Sequence, residues 1–130
     1  MKLEDDQMCF VCGKKNELGL KLDFMTQYNK TRAVFIPQKH HQGYKDIVHG
    51  GILSAVLDEA MTRLGYELGL NTVTARIEVN FRKPAYVDAK LILEGEIIKE
   101  HGKKVFAKST LTKEDGTLIA DATGILVKIK

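Results

Sequence analysis

One long apolar segment constrains the fold of this chain more than any other feature of its sequence. From residue 50 to about residue 68, apolar residues recur at steps of three and four, and further apolar positions widen the stripe. The recurring positions are Leu53, Leu57, Ala60, Leu64 and Leu68, widened by Ile52, Val56 and Met61. This spacing predicts a helix whose apolar surface needs cover on most sides. Gly69 follows it as a candidate C-terminal cap.

Segments with a period of two flank this helix and predict the strands that cover it. In the clearest one, 72–82, apolar residues alternate with polar ones before Pro84. The other predicted strands are 18–24, 31–36, 91–99, 105–112 and 118–129, with turns at 28–30, 100–103 and 114–116. Two strands, one helix and four antiparallel strands indicate an α+β fold, in which a sheet of about five to six strands wraps one helix. Residues 38–48 show no period and predict a loop.

Length and charge limit the classes of function. The 130 residues fit one domain, 1–130, with an N-terminal arm at 1–17. A net charge of +3 from scattered basic residues is too weak for a nucleic-acid surface. The acidic start, MKLEDDQM, is unlike a signal peptide, and no apolar run approaches the ~20 residues of a membrane span. We therefore expect a cytoplasmic protein without nucleic-acid or membrane partners.

Two cysteines, Cys9 and Cys12, form one CxxC motif in the arm. Redox chemistry is disfavoured because the motif lacks the strand-to-helix context that such motifs have. A zinc site would need two more ligands, and His40 with His41 is the only nearby candidate pair. We expect instead two buried thiols that anchor the arm, and no bound metal.

The start of the predicted helix is the strongest candidate for a functional site. His49 and two glycines lead directly into it, and the first amides of a helix have no acceptor within the helix. Asp58 lies seven residues after Gly51, on nearly the same helix face and about 10 Å further along the axis. Taken alone, such an Asp is more often a satisfied core carboxylate or an interface pair, here with Arg63 or Arg76.

Four segments carry a resemblance to a known family: CFVCG, HQGYKDI, VHGGILSAVLDEAM and TARIEVNFRKPA. They are similar to segments of the hotdog-fold acyl-CoA thioesterases, particularly the phenylacetate-degradation type, and the resemblance covers nearly the whole chain. It implies hydrolysis of a small, medium-chain or aromatic acyl-CoA, with no cofactor because coenzyme A is part of the substrate. It also implies that the Gly51 amide donates to the thioester carbonyl, that Asp58 is nucleophile or general base, and that His49 lies beside the thioester.

The resemblance assigns further candidates. Thr74 is favoured over Thr62 as the hydroxyl that positions water. In the predicted alternation Thr74 lies on the polar side of its strand, so it reaches a site only where that side meets a partner protomer. Relatives often carry Asn or Gln six residues before the HGG histidine, where this chain has Gly43. Gln42 fills that role only if the loop shifts by one residue. Glu59 is expected to be structural or interfacial.

Substrate contacts are expected for both parts of the substrate, the acyl thioester and coenzyme A. The candidates for the acyl group and thioester are Gln42, Gly50, Thr62, Tyr44 and Phe81, and those for coenzyme A are Arg82, Lys83, Lys103 and Lys104. Two alternatives stay open: a non-catalytic acyl-CoA binding or sensing protein, and a hotdog enoyl-CoA hydratase. Against the related dehydratase pattern, the chain lacks the proline-rich loop that usually follows the catalytic histidine.

The separation between Gly51 and Asp58 predicts an obligate homodimer. A carboxylate must approach the thioester carbon to about 3–3.5 Å, so one helix cannot both hold the carbonyl at Gly51 and attack it with its own Asp58. The acid should come from a second subunit. This agrees with the family, whose sites lie between two protomers, and we expect the dimers to pair into a tetramer.

Overall fold

A computed structural model of the chain describes residues 2–129, which form one α-helix and six strands. In chain order these are β1 (Met25–Gln27), β2 (Lys30–Phe35), α1 (Gly50–Glu67), β3 (Thr72–Phe81), β4 (Leu91–His101), β5 (Lys104–Lys113) and β6 (Leu118–Lys128), with a 3₁₀ turn at Lys39–His41. The predicted α+β class, with one long helix packed against one antiparallel sheet, is confirmed. No helix in the described part of the chain is long and apolar enough to cross a membrane.

The sheet has the strand order β1-β2-β4-β5-β6-β3, and every neighbouring pair is antiparallel. This order leaves β3 at an edge, paired only with β6 within the chain. An edge strand keeps one row of backbone N–H and C=O groups without strand partners, and β3 is ten residues long. The sheet therefore offers a long open edge beside the helix.

The helix packs across the sheet through its apolar face. Its buried residues are Leu53, Val56, Leu57, Ala60, Met61, Leu64 and Gly65. Fully burying one such leucine or methionine stabilises the fold by roughly 1.5–3 kcal/mol. The helix approaches β4 closely at Gly95, where a Cβ atom would lie 2.3 Å from the Ala60 carbonyl oxygen. At the other end Gly69 adopts φ 79°, and this confirms the predicted C-terminal cap.

The predicted strand at 18–24 is wrong. These residues form an irregular segment that continues the N-terminal arm, and the first strand begins only at Met25. Lys21 has φ 53°, a left-handed conformation that interrupts an extended strand. This segment is held instead by the CxxC loop, because the Leu20 and Leu22 N–H groups donate to the carbonyls of Phe10 and Val11 at 2.8 and 2.9 Å.

A β-bulge at Ala75 overturns the predicted alternation in β3. Thr74 pairs with Leu126 and Arg76 with Ile125 of β6, so Ala75 is an extra residue with no partner of its own. The bulge places Thr74 on the helix-facing side of the strand, while Val73 turns outward and is 42% exposed. The sequence pattern had assigned these two residues to the opposite sides.

Candidate functional site

The start of α1 is exposed to solvent and is capped by the side chain of His49. His49 Nδ1 accepts the N–H of Gly51 at 2.8 Å, so the neutral ring carries its proton on Nε2. Histidine is not among the residues usually preferred at this position. The expectation of free amides is therefore wrong for Gly51, whose N–H is already bound. The Gly50 N–H, in contrast, has no acceptor within residues 2–129.

A ligand that binds the Gly51 N–H must first displace the His49 side chain. An incoming carbonyl oxygen gains the Gly51 N–H by replacing the imidazole nitrogen, which currently fills the acceptor position. The adjacent Gly50 N–H is available without any rearrangement. Both amides lie in the first turn, where the helix dipole favours negative charge. The helix start can thus bind a polarised carbonyl or an oxyanion.

The Asp58 carboxylate lies in the middle of α1 and contacts β3. Thr74 Oγ1 donates to Asp58 Oδ1 at 2.7 Å within the same chain, so Thr74 reaches Asp58 without any partner protomer. The Ala75 bulge makes this contact possible. The carboxylate is half-buried and, within residues 2–129, forms no ion pair with Arg63 or Arg76; Arg63 pairs with two other carboxylates. Its second oxygen, Oδ2, has no hydrogen-bond partner there and is free to act on a ligand.

Thr62, the competing hydroxyl, is occupied elsewhere. Its Oγ1 lies 3.2 Å from the Asp58 backbone carbonyl and 3.3 Å from Glu59 Oε1. Bonding to the carbonyl four residues back is common for threonine within a helix. The hydroxyl does not contact the Asp58 carboxylate. Of the two candidate hydroxyls, Thr74 alone touches the acid in the part of the chain that the structure describes.

Gln42 closes the loop before His49 with both its side chain and its backbone. Its Oε1 accepts the N–H of Asp46 at 3.1 Å, and its backbone forms a β-bridge with Val48. The Gln42 side-chain oxygen is thus engaged within the loop, and a contact between Gln42 and the thioester stays a prediction. Tyr44, the other candidate from this loop, is 86% exposed.

A cavity of about 310 Å³ lies beside the helix start. Its lining consists of Ile47, Val48, Gly50, Leu53, Phe81, Arg82, Lys83, Pro84 and Ala85. The Phe81 ring passes over Gly50, 3.6 Å from where a Cβ atom would lie. An aromatic ring, two cations and the helix start therefore meet in one concavity. Such apolar pockets with a few convergent polar groups are typical ligand sites.

The two cations in this cavity differ in how they are held. Arg82 Nε donates to Asp121 Oδ2 at 2.5 Å. This hydrogen bond raises the pKa of Arg82 and, with a second one from Asn80, lowers the pKa of Asp121. Lys83 is exposed and has no ion-pair partner among the described residues. Lys83 is thus the cation most available to an anionic ligand.

The second basic pair, Lys103 and Lys104, lies at the opposite end of the sheet. Arg82 donates to the carbonyl of Ile119 at one end of β6, whereas Lys104 pairs with Val127 at the other. Eight residues of antiparallel strand span about 27 Å. Within one chain the two basic pairs therefore cannot bind the same phosphate group.

The cysteines contact a residue that the sequence patterns did not connect with them. Cys12 Sγ lies 2.6 Å and Cys9 Sγ 3.4 Å from Glu59 Oε2, on the turn of α1 that carries Asp58. Both thiols are half-buried and hold the arm against the helix. Burial, with the hydrogen bond to Glu59 and its negative charge, raises the pKa of the Cys12 thiol.

His40 and His41, the candidate pair that a zinc site with the cysteines would have needed, contact each other instead. The two histidine rings meet at an interplanar angle of 60°, with centroids 4.2 Å apart, and His41 also packs against Phe35. In the described chain, neither histidine joins the group that Cys9 and Cys12 form with a carboxylate. The two histidines instead line a cavity together with residues 17 and 19–23.

The sequence of the chain is similar to those of known thioesterases. A family model described as the thioesterase superfamily matches residues 45–120, a span that includes the helix start, Asp58 and Thr74. The acyl-coenzyme A thioesterase THEM4 of Mus musculus is 26% identical over 118 residues, which cover 87% of this chain and 51% of the relative. The chain spans about half the length of the curated relatives that it matches.

Solved structures share the fold. Protein RHA08564, a thioesterase superfamily protein, superposes with a TM-score of 0.89 at 21% identity, over 94% of this chain and 61% of that chain. A hypothetical thioesterase from Streptococcus pneumoniae TIGR4, solved with coenzyme A, superposes with a TM-score of 0.78 at 19% identity, over 83% of this chain and 85% of that one. These likenesses confirm the expected hotdog arrangement of helix and sheet.

Proposed function

The chain belongs to the thioesterase superfamily, and on this premise we propose that it hydrolyses acyl-CoA thioesters to the free acid and coenzyme A. The proposed substrates carry small, medium-chain or aromatic acyl groups. The names of the curated relatives and the coenzyme A bound to a structural neighbour support this choice of thioester. One observation carries the proposal: the helix start and the Asp58 carboxylate both lie along β3, the open edge of the sheet.

The open edge favours a dimer in which two copies of β3 pair antiparallel about a two-fold axis. At one end of β3, Phe81 lies over Gly50, and near the other end Thr74 touches Asp58. A pairing centred on Ile77 therefore puts the helix start of one protomer beside Asp58 of the partner subunit. The two sites of the dimer are identical, and each needs both chains.

The same register brings complementary charges together. Arg76 and Glu78 flank Ile77, both are exposed, and neither forms an ion pair within residues 2–129. Antiparallel pairing centred on Ile77 places each Arg76 opposite the partner's Glu78. Opposite charges at facing positions of paired strands are mutually stabilising. The unpaired charges of the single chain thus support this dimer.

In the proposed reaction the thioester carbonyl oxygen takes the position of His49 Nδ1 and accepts the N–H of Gly51, with the Gly50 N–H beside it. These donors and the helix dipole stabilise the oxyanion that develops on attack. The partner's Asp58 acts on the carbonyl carbon as nucleophile or as general base for water. Thr74 holds Oδ1 of this carboxylate and leaves Oδ2 to react. The C–S bond breaks, and coenzyme A leaves as the thiol with a proton that comes from water. If Asp58 is the nucleophile, a second step follows in which water cleaves the acyl–Asp58 anhydride to give the free acid.

Alanine at Gly51 should lower kcat/KM by roughly 100-fold, because its methyl group keeps the carbonyl oxygen from the N–H and so costs as much as the loss of one oxyanion donor. A Cβ atom there would lie 3.0 Å from His49 Nδ1, in the space that the carbonyl oxygen must enter. Gly50→Ala is the matched control, because its Cβ atom makes only an ordinary 3.6 Å contact with Phe81. We expect this control to lose less than about tenfold, since it clashes with nothing. Equal losses in the two variants would contradict the Gly51 assignment.

Removal of Lys103 and Lys104 together should raise KM roughly tenfold and change kcat little, because contacts to the nucleotide are the same in the ground and transition states. In the antiparallel dimer this hairpin lies at the same end as Arg82 and Lys83 of the partner subunit. The control Lys14→Ala/Lys15→Ala removes the same charge from the exposed arm and should leave KM unchanged. A loss confined to kcat would count against coenzyme A binding at the hairpin.

A screen for thiol release across acyl-CoA chain lengths and aryl-CoA esters tests the proposed function directly. We expect catalytic release from at least one class, with no addition of water to an enoyl-CoA. If the protein binds acyl-CoA but the release rate equals that of the buffer, it is a binding protein. Hydration of the enoyl-CoA without thiol release would identify a hydratase.

A further inference from the structure

We propose that Cys9, Cys12 and Glu59 form a site for a thiophilic divalent cation, Zn²⁺ above all, which fastens the N-terminal arm to helix α1. The two Sγ atoms and a carboxylate oxygen lie within 4.8 Å of one another. Glu59 is separated from Cys12 by 47 residues, so the fold alone brings these groups together. They lie outside the proposed catalytic site, because Glu59 projects about 100° around the helix from Asp58.

The backbone of the CxxC loop is already folded for a shared ligand. The Gly13 N–H donates to the Cys9 carbonyl at 2.8 Å and closes a turn around the motif. Any side chain at position 13 would clash, since a Cβ atom there would lie 2.4 Å from the Cys9 nitrogen. Two cysteines separated by two residues are the spacing found in structural zinc sites. The turn therefore presents both sulfur atoms to the helix together.

Glu59 is oriented toward the two thiols. Its Oε1 accepts from the Thr62 hydroxyl at 3.3 Å, while Oε2 faces Cys12 Sγ at 2.6 Å and Cys9 Sγ at 3.4 Å. Metal-binding carboxylates are commonly held in this way by a hydrogen bond to their other oxygen. Two thiol protons share one carboxylate oxygen here. A cation at this point would replace both of them.

The charges of the site suit a divalent ion. Two thiolates and one carboxylate carry three negative charges, and a divalent cation leaves one of them. Arg63 Nη1 lies 3.9 Å from Cys12 Sγ and offsets part of the remainder. Binding forms two metal–sulfur bonds and releases two protons to solvent.

The ligand set selects the class of metal. Thiolate ligands favour Zn²⁺ over Mg²⁺ or Ca²⁺, which prefer oxygen. In tetrahedral geometry, Zn–S of about 2.3 Å and Zn–O of about 2.1 Å separate a sulfur from an oxygen ligand by about 3.6 Å. Cys9 already lies close to this distance from Glu59, and Cys12 needs to move by only about 1 Å. A water molecule completes the four ligands from the adjoining cavity of about 400 Å³.

Zinc titration of the full chain tests the site. Reduced protein, stripped with a chelator, is titrated with ZnCl₂ against a chromophoric competitor, and we expect one ion per chain. Co²⁺ should give thiolate-to-metal charge-transfer absorption, and X-ray absorption of the zinc form should show two sulfur ligands at about 2.3 Å. A wild-type chain that binds no zinc in this competition overturns the proposal, as does a zinc shell without sulfur.

Substitutions assign the ligands. Cys12→Ser should lower the affinity for zinc by more than about 100-fold, since even outer-shell partners are worth roughly 10- to 100-fold. Glu59→Gln should lower it by about tenfold, and the exposed His40→Ala control should leave it unchanged. If the cysteine variant fails to fold by circular dichroism, the single-atom change in Glu59→Gln decides. Unchanged affinity in Glu59→Gln, or in a folded Cys12→Ser variant, contradicts the site.

Discussion

Asparagine at position 58 should lower kcat for acyl-CoA hydrolysis by about 1000-fold, with KM changed by less than about threefold. The side chains of Asp and Asn have the same shape, and the amide oxygen of Asn can still accept the hydrogen bond from Thr74. The substitution removes the negative charge that attacks the thioester or deprotonates water, while the fold and the binding surface persist. Thiol release measured over a range of acyl-CoA concentrations separates the two kinetic parameters.

Glu59→Gln is the matched control for this substitution. It makes the same change of charge at the next position of the helix, on a side chain that faces the arm. We expect its kcat to stay within about threefold of the wild type, because a group outside the reacting geometry contributes little to the transition state. A kcat above about a tenth of wild type in Asp58→Asn would mean that Asp58 is a structural carboxylate, since general acid–base groups contribute at least about 100-fold.

Reversal of the charge at Glu78 should weaken the dimer and, once the chains separate, abolish activity. In the proposed β3 pairing, Glu78→Arg places an arginine opposite the partner's Arg76 at two symmetric positions. Replacing two stabilising cross-strand pairs with two repulsive ones costs roughly 2–4 kcal/mol, or about 30- to 1000-fold in the dissociation constant. Below that constant, specific activity should fall about 1000-fold, to the level of Asp58→Asn, since neither chain holds a complete site.

The double variant Arg76→Glu/Glu78→Arg supplies the control. It restores opposite charges across the pairing with the same two residue types, so we expect dimer and activity to return together. Sedimentation at several protein concentrations measures the assembly, and thiol release at the same concentrations measures the activity. A Glu78→Arg chain that sediments as a monomer and remains fully active would refute the shared site.

The helix and most of the sheet could be predicted because their signals are local. The apolar steps that mark α1, the alternation that marks β4 to β6 and the turns at Gly102 and Gly116 all lie within a few residues of the feature they specify. Each is also consistent with the others, since one apolar helix requires one sheet to cover it. The open β3 edge then follows only from strand order, which no local pattern records.

The details of the site depended on contacts between distant parts of the chain. The Ala75 bulge arises where β3 meets β6, and nothing in the residues around Ala75 marks it, so the contact between Thr74 and Asp58 could not be predicted within one chain. The same is true of Glu59 and the CxxC loop, which lie far apart in sequence. The cap that His49 places on Gly51 was missed because histidine is an unusual residue at a helix start.

Complementation between two inactive chains tests most directly whether each site is shared by two subunits. Asp58→Asn and Gly51→Ala chains, refolded together in equal amounts, form heterodimers in half of the random pairings. Each heterodimer joins one intact Gly51 to one intact Asp58 and leaves its second site doubly impaired, so the mixture should regain about a quarter of wild-type activity. Activity that stays at the sum of the two separate variants would show that each site lies within one chain and would contradict the account.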